Sequence, residues 1–336
     1  MINIAINGFG RIGRLVFRAA WSDRKINIVA INDITDPRTL AHLLKYDSLQ
    51  GPFTEEVGFT EDSLVISRKK IKVLSEKDPT KLPWKQLKVD LVIECTGRFV
   101  TPQDAAQHIT AGARKVLLSA PFKAEVDLPP SAVTLVMGAN ENSYNPKEHY
   151  VLSNASCTTN CVVPILKVIH DTFGIKYCYF TTIHAYTADQ HLVDGPHKDL
   201  RRARAAAINI IPTSSGADTA AEQALPMLKG KIKGVAFRVP VACGSVTDFT
   251  IQTEKMTSAE EVNKVFQAAA KGKMQNIIQY SEGDLVSSDI VGNSHSAIVD
   301  AKLTKVLNKN VLKVIAWYDN EWGYSCRMVD MIKMIG

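Results

Sequence analysis

The 336-residue chain contains no apolar run approaching the 18 or so residues that a membrane span needs. Its first residues, Met1-Ile2-Asn3-Ile4, have neither a basic segment nor a cleavable apolar one, so no secretory leader is expected and a cytoplasmic protein is. Cysteine is sparse: six residues, at 95, 157, 161, 178, 243 and 326, with no CxxC and no pair of pairs at zinc-ligand spacing. A disulfide framework and a structural metal are excluded on that basis, and most of these thiols are expected to be small buried hydrophobes. The basic excess is mild, 40 Lys and Arg against 34 Asp and Glu. Its only dense run, Arg201-Arg202-Ala203-Arg204, is too short to form a nucleic-acid-binding face. Neither a membrane nor a nucleic acid is therefore required. No internal repeat or low-complexity linker is visible.

What is present is ordinary globular composition, 46% apolar and 22% charged, at a length suited to two domains. The chain opens with an apolar run, Ile2 to Ile6, then Gly8-Phe9-Gly10-Arg11-Ile12-Gly13, then Ile12, Leu15, Val16 and Ala19 at helical spacing. A second apolar run, Ile26 to Ile31, completes a strand–turn–helix–strand unit. Further short runs at Ile71 to Leu74, Leu91 to Ile93, Lys115 to Leu118 and Thr134 to Met137 alternate with a helical stretch, Pro102 to Ala111, capped by Gly112. Such alternation predicts an α/β fold with a doubly wound parallel sheet.

Past Asn154 the pattern changes. A helix is predicted from Cys157 to about Phe173, stopped by Gly174 and weakened by Pro164. Long β-type runs follow at Tyr177 to Ile183, Gly234 to Val241, Val246 to Thr253 and Val311 to Trp317. Few helices separate them, which predicts a mainly antiparallel sheet in an α+β domain. The expected division is a dinucleotide-binding domain over 1–153 and a catalytic domain over 154–319, with a helix over 320–336 docking back on the first.

Three glycines suit a dinucleotide. Gly8 permits the tight turn, Gly10 lets the backbone approach a pyrophosphate, and Gly13 lets helix and strand pack closely. The helix N-terminus supplies free N–H groups for phosphate. Asp33, 20 positions after Gly13, can accept both ribose hydroxyls of NAD and repel a 2′-phosphate.

The second half carries a candidate nucleophile. Ser156-Cys157-Thr158-Thr159 combines cap-type residues with a cysteine in a first helical turn, where the helix dipole lowers a thiol's pKa. Cys161, one turn on, is expected to be buried. His184 is the best candidate base, placed where the strand over 177–183 should emerge at a sheet edge; Cys–His activation needs the two within hydrogen-bond reach. His42, His108, His149, His170 and His295 have no chemical neighbourhood in the sequence. Anion ligands could come from Ser156, Thr158, Thr187, Ser214-Ser215-Gly216, Arg202 and Arg238, arginine being suited to phosphate by its two-pronged fork. Asn320 could meet a carboxamide.

Taken together, Asn7-Gly8-Phe9-Gly10-Arg11-Ile12-Gly13-Arg14, Ser153-Asn154-Ala155-Ser156-Cys157-Thr158-Thr159-Asn160-Cys161 and Trp317-Tyr318-Asp319-Asn320-Glu321-Trp322-Gly323-Tyr324 resemble the phosphorylating glyceraldehyde-3-phosphate dehydrogenases. So do His42-Leu43-Leu44-Lys45-Tyr46-Asp47, Asp199-Leu200-Arg201-Arg202-Ala203-Arg204 and Ile210-Ile211-Pro212. The resemblance implies a homotetramer, a Rossmann cofactor domain, and NAD-dependent oxidation of glyceraldehyde 3-phosphate with inorganic phosphate to 1,3-bisphosphoglycerate. It implies Cys157 as nucleophile and His184 as base. Thr187 and Arg238 match the substrate-phosphate site. Ser156, Thr158, Ser215, Gly216 and Arg202 match the inorganic-phosphate and substrate contacts. Gly8, Gly10, Arg11, Ile12, Gly13, Asp33, Ser119 and Asn320 match the cofactor site. Lys77 stands where several bacterial members have arginine, Ser215 where many have threonine, and Val241-Ala242-Cys243-Gly244 replaces a commoner Thr-Pro-Asn-Val. Two other functions stay open at this point: the sister erythrose-4-phosphate dehydrogenase, and a non-catalytic NAD-sensing or RNA-binding protein. A cysteine hydrolase would leave the glycine turn without a purpose.

Overall fold

The computed structural model describes residues 1–123 and 128–336. Its contacts divide the chain into one unit of Met1–Leu135, Asn142–Ala155 and Ser325–Gly336, and another of Val136–Glu141 and Ser156–Tyr324. Residues 136–141 and 320–324 thus fall with the second unit, whereas the pattern reading assigned them to the first. Among the described residues no helix is long and apolar enough to cross a membrane.

The first unit is built on nine strands: β1 (Ile2–Asn7), β2 (Ile26–Asn32), β3 (Val57–Phe59), β4 (Ser63–Ile66), β5 (Lys69–Leu74), β6 (Leu91–Glu94), β7 (Lys115–Leu118), β8 (Ala132–Thr134) and β9 (Val151–Ser153). Their order is β3-β4-β5-β2-β1-β6-β7-β9-β8, parallel except for the antiparallel β3–β4–β5 edge. Ile4, Ala5 and Ile6 of β1 and Leu91, Val92 and Ile93 of β6 are fully buried. Continuous apolar runs are what strands covered on both faces require. Three helices join them: α1 (Arg11–Ala20), α2 (Pro37–Lys45) and α3 (Pro102–Thr110). Asp36 and Thr101 cap α2 and α3 by accepting from Thr39 N and Asp104 N, each with proline in the first turn. The chain passes from β1 to β2 on one side and reaches β6 on the other, so strand order reverses between β1 and β6. Ligands of such sheets bind outside the carboxyl ends at that point. The strand expected over 134–137 instead spans Ala132–Thr134. Beyond Leu135 the chain leaves the sheet, and Val136 N is turned onto Asn140 Oδ1 at 2.8 Å.

The second unit contains α4 (Cys157–Phe173), α5 (Ala217–Ala224) and α6 (Ala259–Lys271), with strands β10 (Ile175–Ala185), β11 (Ile211–Ser214), β12 (Ile232–Val239), β13 (Ser245–Thr253), β14 (Ile278–Ser281), β15 (Ala297–Asp300), β16 (Lys305–Leu307) and β17 (Val311–Tyr318). The last helix, α7, runs from Trp322 to Ile335. The sheet order is β11-β12-β10-β13-β17-β15-β14, with β16 also on β17; only β10–β12 and β14–β15 are parallel. Strand β13 alternates strictly between buried and half-buried residues, as a sheet with one covered face should. Helix α4 runs unbroken through Pro164 and stops at Gly174, whose φ of +68° lies in the left-handed region.

Candidate active site

The glycine turn joins the end of β1 to α1. Gly8 has φ +89°, and a Cβ there would lie 2.7 Å from Thr96 N; a Cβ on Gly13 would lie 2.1 Å from Gly8 O. Both positions exclude a side chain because backbone occupies the space. Gly10 differs: nothing lies within 4 Å of its Cβ position, and it begins α1 without a side-chain cap. Open space beside uncapped N–H groups is what a pyrophosphate needs. Asp33 is held in place, its Oδ2 accepting from Phe9 N at 2.7 Å and its Oδ1 from Thr35 N at 2.9 Å. A crevice of about 230 Å³ follows, with Gly8, Gly10, Asp33, Lys77 and Thr96 in its walls. These residues fit a dinucleotide.

Other cofactor candidates are placed differently. The Arg11 guanidinium is paired with Asp47 at 2.7 Å. Ile12 is half-buried in the first turn of α1. Ser119 N donates to Glu94 O at 2.9 Å at the end of β7. Arg11, Ile12 and Ser119 are not among the residues lining the crevice. Asn320 lies in the second unit, its Oδ1 accepting from Ser245 Oγ at 2.9 Å and Gly244 N at 3.2 Å.

In the second unit, Ser156 caps α4 by accepting from Thr159 N at 3.0 Å, which places Cys157 in the first turn. Cys157 Sγ lies 3.3 Å from His184 Nε2. His184 is not at a sheet edge. It is a buried residue of β10, 3% exposed, and β10 is flanked by β12 and β13. Parallel register with β12 sets Arg238 beside it. Arg238 Nη1 lies 2.7 Å from His184 Nδ1 and donates to Ala185 O at 2.9 Å; His184 Nδ1 is also 2.6 Å from that carbonyl.

The electrostatics correct one expectation. Burial pushes the Cys157 thiol up from its ordinary value, outweighing the Arg238 charge and the Thr158 N–H that pull it down. Burial, then Arg238, pushes His184 down to about 3, so the resting imidazole is neutral and carries a lone pair toward Cys157. The site holds a thiol–imidazole pair with an arginine against it. It can transfer the thiol proton once an electrophile engages the sulfur.

The remaining anion candidates belong to the same unit as this pair. Thr158 is buried, its hydroxyl sharing a hydrogen bond with Tyr318 Oη at 3.0 Å; Tyr318 also meets Thr182 Oγ1 at 2.8 Å. Arg202 is engaged by Asp189 at 2.5 Å and by Thr213 Oγ1 at 2.9 Å. Ser215 Oγ accepts from Ala217 N at 3.2 Å, and Gly216 begins α5 without a side-chain cap. Thr187 lines a small cavity of about 180 Å³ with Tyr186 and Gln190. Sequence reasoning missed Tyr318 and Asp189. Both are common residue types whose role comes only from what the fold sets against them.

None of the six cysteines is in a disulfide; Cys161, Cys178 and Cys243 are buried. Among the described residues no cluster of His, Cys, Asp and Glu could hold a metal ion.

Comparison with known proteins agrees with this layout. Residues 2–102 match the family description "Glyceraldehyde 3-phosphate dehydrogenase, NAD binding domain", and residues 156–320 match "Glyceraldehyde 3-phosphate dehydrogenase, C-terminal domain". The chain is 51% identical over 334 residues to "Glyceraldehyde-3-phosphate dehydrogenase" of Geobacillus stearothermophilus, covering 99% of this chain and 98% of that one. It is 49% identical over 334 residues to "Glyceraldehyde-3-phosphate dehydrogenase 2" of Bacillus subtilis, covering 99% and 96%. Against the Streptomyces coelicolor protein of the first name it is 51% identical over 337 residues, covering 100% and 98%.

Proposed function

Since the chain belongs to the glyceraldehyde-3-phosphate dehydrogenase family, we propose that it oxidises glyceraldehyde 3-phosphate with inorganic phosphate through a covalent intermediate on Cys157. The observation that carries this reading is the 3.3 Å approach of Cys157 Sγ to His184 Nε2 beside Arg238. The Cys157 proton passes to His184 Nε2 as sulfur attacks the aldehyde carbon, and the imidazolium returns it to the carbonyl oxygen. This gives a hemithioacetal. His184 then accepts the hydroxyl proton while the carbon gives up hydride, leaving a thioester on Cys157. Gly8, Gly10, Gly13 and Asp33 would hold NAD, which would supply the acceptor for that hydride. Phosphate oxygen attacks the thioester, the C–S bond breaks, the departing sulfur takes back the proton held on His184, the phosphate's own proton goes to solvent, and the acyl phosphate leaves with Cys157 and His184 restored. The first-turn N–H of Cys157 is suited to the oxyanion formed in each addition.

Arg238 is the cation closest to the reacting pair, so it is assigned to the substrate phosphate together with Thr187. Arg202, Ser156, Thr158, Ser215 and Gly216 are assigned to inorganic phosphate and substrate. Arg202 and Thr158 must exchange Asp189 and Tyr318 for the ligand to serve there. The three relatives described above are all named for the triose substrate, which favours it over the four-carbon sugar and over a sensing role.

A homotetramer belongs to the same proposal. Helices α4, α5 and α6 pack against the second sheet, while Tyr179 of β10 and Val235 of β12 stand 63% and 49% exposed. An apolar face of that kind is suited to a second copy. Placement in cytoplasmic glycolysis rests on the family resemblance.

The test is NADH formation at 340 nm with aldehyde, NAD and phosphate, each omitted in turn. Turnover that needs phosphate and is lost in Cys157→Ser supports the reading. Turnover with no phosphate or arsenate overturns the phosphate assignments.

A further inference from the structure

We infer that Glu94 and His108 are positioning residues of the NAD crevice, a buried carboxylate–imidazole pair that fixes two of its walls, Asn7 and Thr96. Asn7 and Glu94 end β1 and β6 and face each other in register at the point where strand order reverses. His108 comes from α3 and is 0% exposed; Asn7 and Glu94 are 2% and 3% exposed.

The hydrogen bonds have only one consistent direction. Trp84 Nε1–H can only donate, and it lies 3.0 Å from His108 Nδ1. Nδ1 therefore carries the lone pair, and the proton is on Nε2, which donates to Glu94 Oε2 at 3.0 Å. Asn7 Nδ2 donates to the same oxygen at 2.6 Å. That turns Asn7 Oδ1 toward Asn32 Nδ2 at 2.7 Å, and Asn32 bonds both backbone groups of Glu76, at 2.9 Å each. The other Glu94 oxygen accepts from Thr96 N at 2.7 Å and Thr96 Oγ1 at 2.5 Å. Four donors converge on one side chain, which only an ionised carboxylate can satisfy.

Asn7, Asn32, Glu76 and Thr96 all line the crevice that also holds Gly8 and Asp33. Thr96 N is moreover the atom against which Gly8 packs. Stability alone is a weak reason for the pair, because apolar residues of equal volume are commonly as good as a buried charge. What the carboxylate adds is direction: it orients a crevice wall from below without touching the ligand. The inference concerns cofactor binding and stands apart from the assignment of Cys157.

Calorimetric NAD binding to the full chain tests it, with circular dichroism and Tm confirming folding. His108→Gln can retain both bonds, amide nitrogen to Glu94 and amide oxygen from Trp84, and is expected to bind NAD within about threefold of the original. His108→Leu and Glu94→Gln are expected to raise the Kd about tenfold or more, the scale of a lost bond to a charged group. The KM for NAD should rise with it, and kcat at saturating NAD should stay within about twofold. Trp84→Phe keeps the test available should His108→Leu not fold, since Trp84 does not line the crevice and its removal reaches NAD through the His108 tautomer. Folded His108→Leu, Glu94→Gln or Trp84→Phe protein that binds NAD as the original does would overturn the inference. So would His108→Gln losing as much affinity as His108→Leu, which would reduce the pair to packing.

Discussion

Arg238 and His184 stand side by side in parallel register on β12 and β10, with Nη1 2.7 Å from Nδ1. The guanidinium thereby acts on both members of the reactive pair, holding the imidazole down and drawing the Cys157 thiol down against burial. Replacing it by Arg238→Leu removes that opposing charge and is expected to raise the thiol's apparent pKa. Iodoacetamide alkylation measured from pH 6 to 10 reads this directly. An unchanged or lowered midpoint would contradict the arrangement.

The low His184 value carries a sign for stability. Between about 3 and the ordinary 6.5, the unfolded chain binds a proton at this position that the folded chain does not. Stability at His184 is therefore fully present above 6.5 and declines as pH falls toward 3. Urea midpoints of the original and His184→Asn from pH 7 to 4 should show the original losing more on acidification. Parallel curves would mean the imidazole is not held neutral.

How far the sequence could be read depends on how local each determinant is. The β1–turn–α1 unit, Asp33 and the start of α4 were legible because glycine spacing, cap residues and apolar runs act within a few positions. The β4–β5 hairpin was not: its turn places Ser67 and Arg68 at φ of 43° and 74°, where Asn-Gly would have announced it. The direction of the Cys157 shift was missed for a related reason. A helix terminus is visible in sequence, but the burial that outweighs it is a product of the whole fold. His108 had no chemical neighbourhood in sequence because a turn brings Trp84 to it and two strands bring Glu94 and Asn7. The pairing of Cys157 with His184 was expected by type and resemblance; its 3.3 Å distance belongs to the fold.

The three glycines should separate by experiment. Gly13→Ala forces a Cβ to within 2.1 Å of backbone oxygen, so a loss of about 1–3 kcal/mol and a Tm drop of several degrees are expected. Gly10→Ala meets nothing within 4 Å and should keep its Tm. If the cofactor's pyrophosphate approaches there, its NAD Kd should nevertheless rise about tenfold or more. Calorimetry and thermal melts on both variants decide it. Equal Tm losses, or Gly10→Ala with unaltered affinity, would go against this division of roles.

Asp33 is oriented by Phe9 N and Thr35 N, so its charge is fixed at the crevice wall and cannot swing aside for a 2′-phosphate. Asp33→Asn keeps the size and one acceptor while removing the charge. The ratio of kcat/KM for NADP to that for NAD is expected to rise at least about tenfold, one like-charge repulsion at close range being of that order. A ratio that does not move would place cofactor choice elsewhere in the crevice.

Assembly provides the last test. Tyr179 and Val235 lie on strands β10 and β12, which pair directly, with Tyr179 opposite Lys233 and Val235 opposite Thr181. Both are on the half-exposed side of their strands, so a copy packed on this face would bury them together. Tyr179→Asp with Val235→Glu would set unpaired carboxylates into that contact. A charge buried without a partner costs several kcal/mol, enough to disrupt an interface of ordinary size. If the chain assembles as proposed, sedimentation velocity should show the assembly giving way to smaller species in the double variant. The effect should be confined to assembly at first: the Cys157–His184 pair is formed within one chain, so alkylation of Cys157 should persist in the dissociated form. A double variant of unchanged mass would show that the sheet face is not the contact, and the apolar residues of the loop after β10, Leu192 at 78% and Leu200 at 81% exposure, would be the next surface to charge.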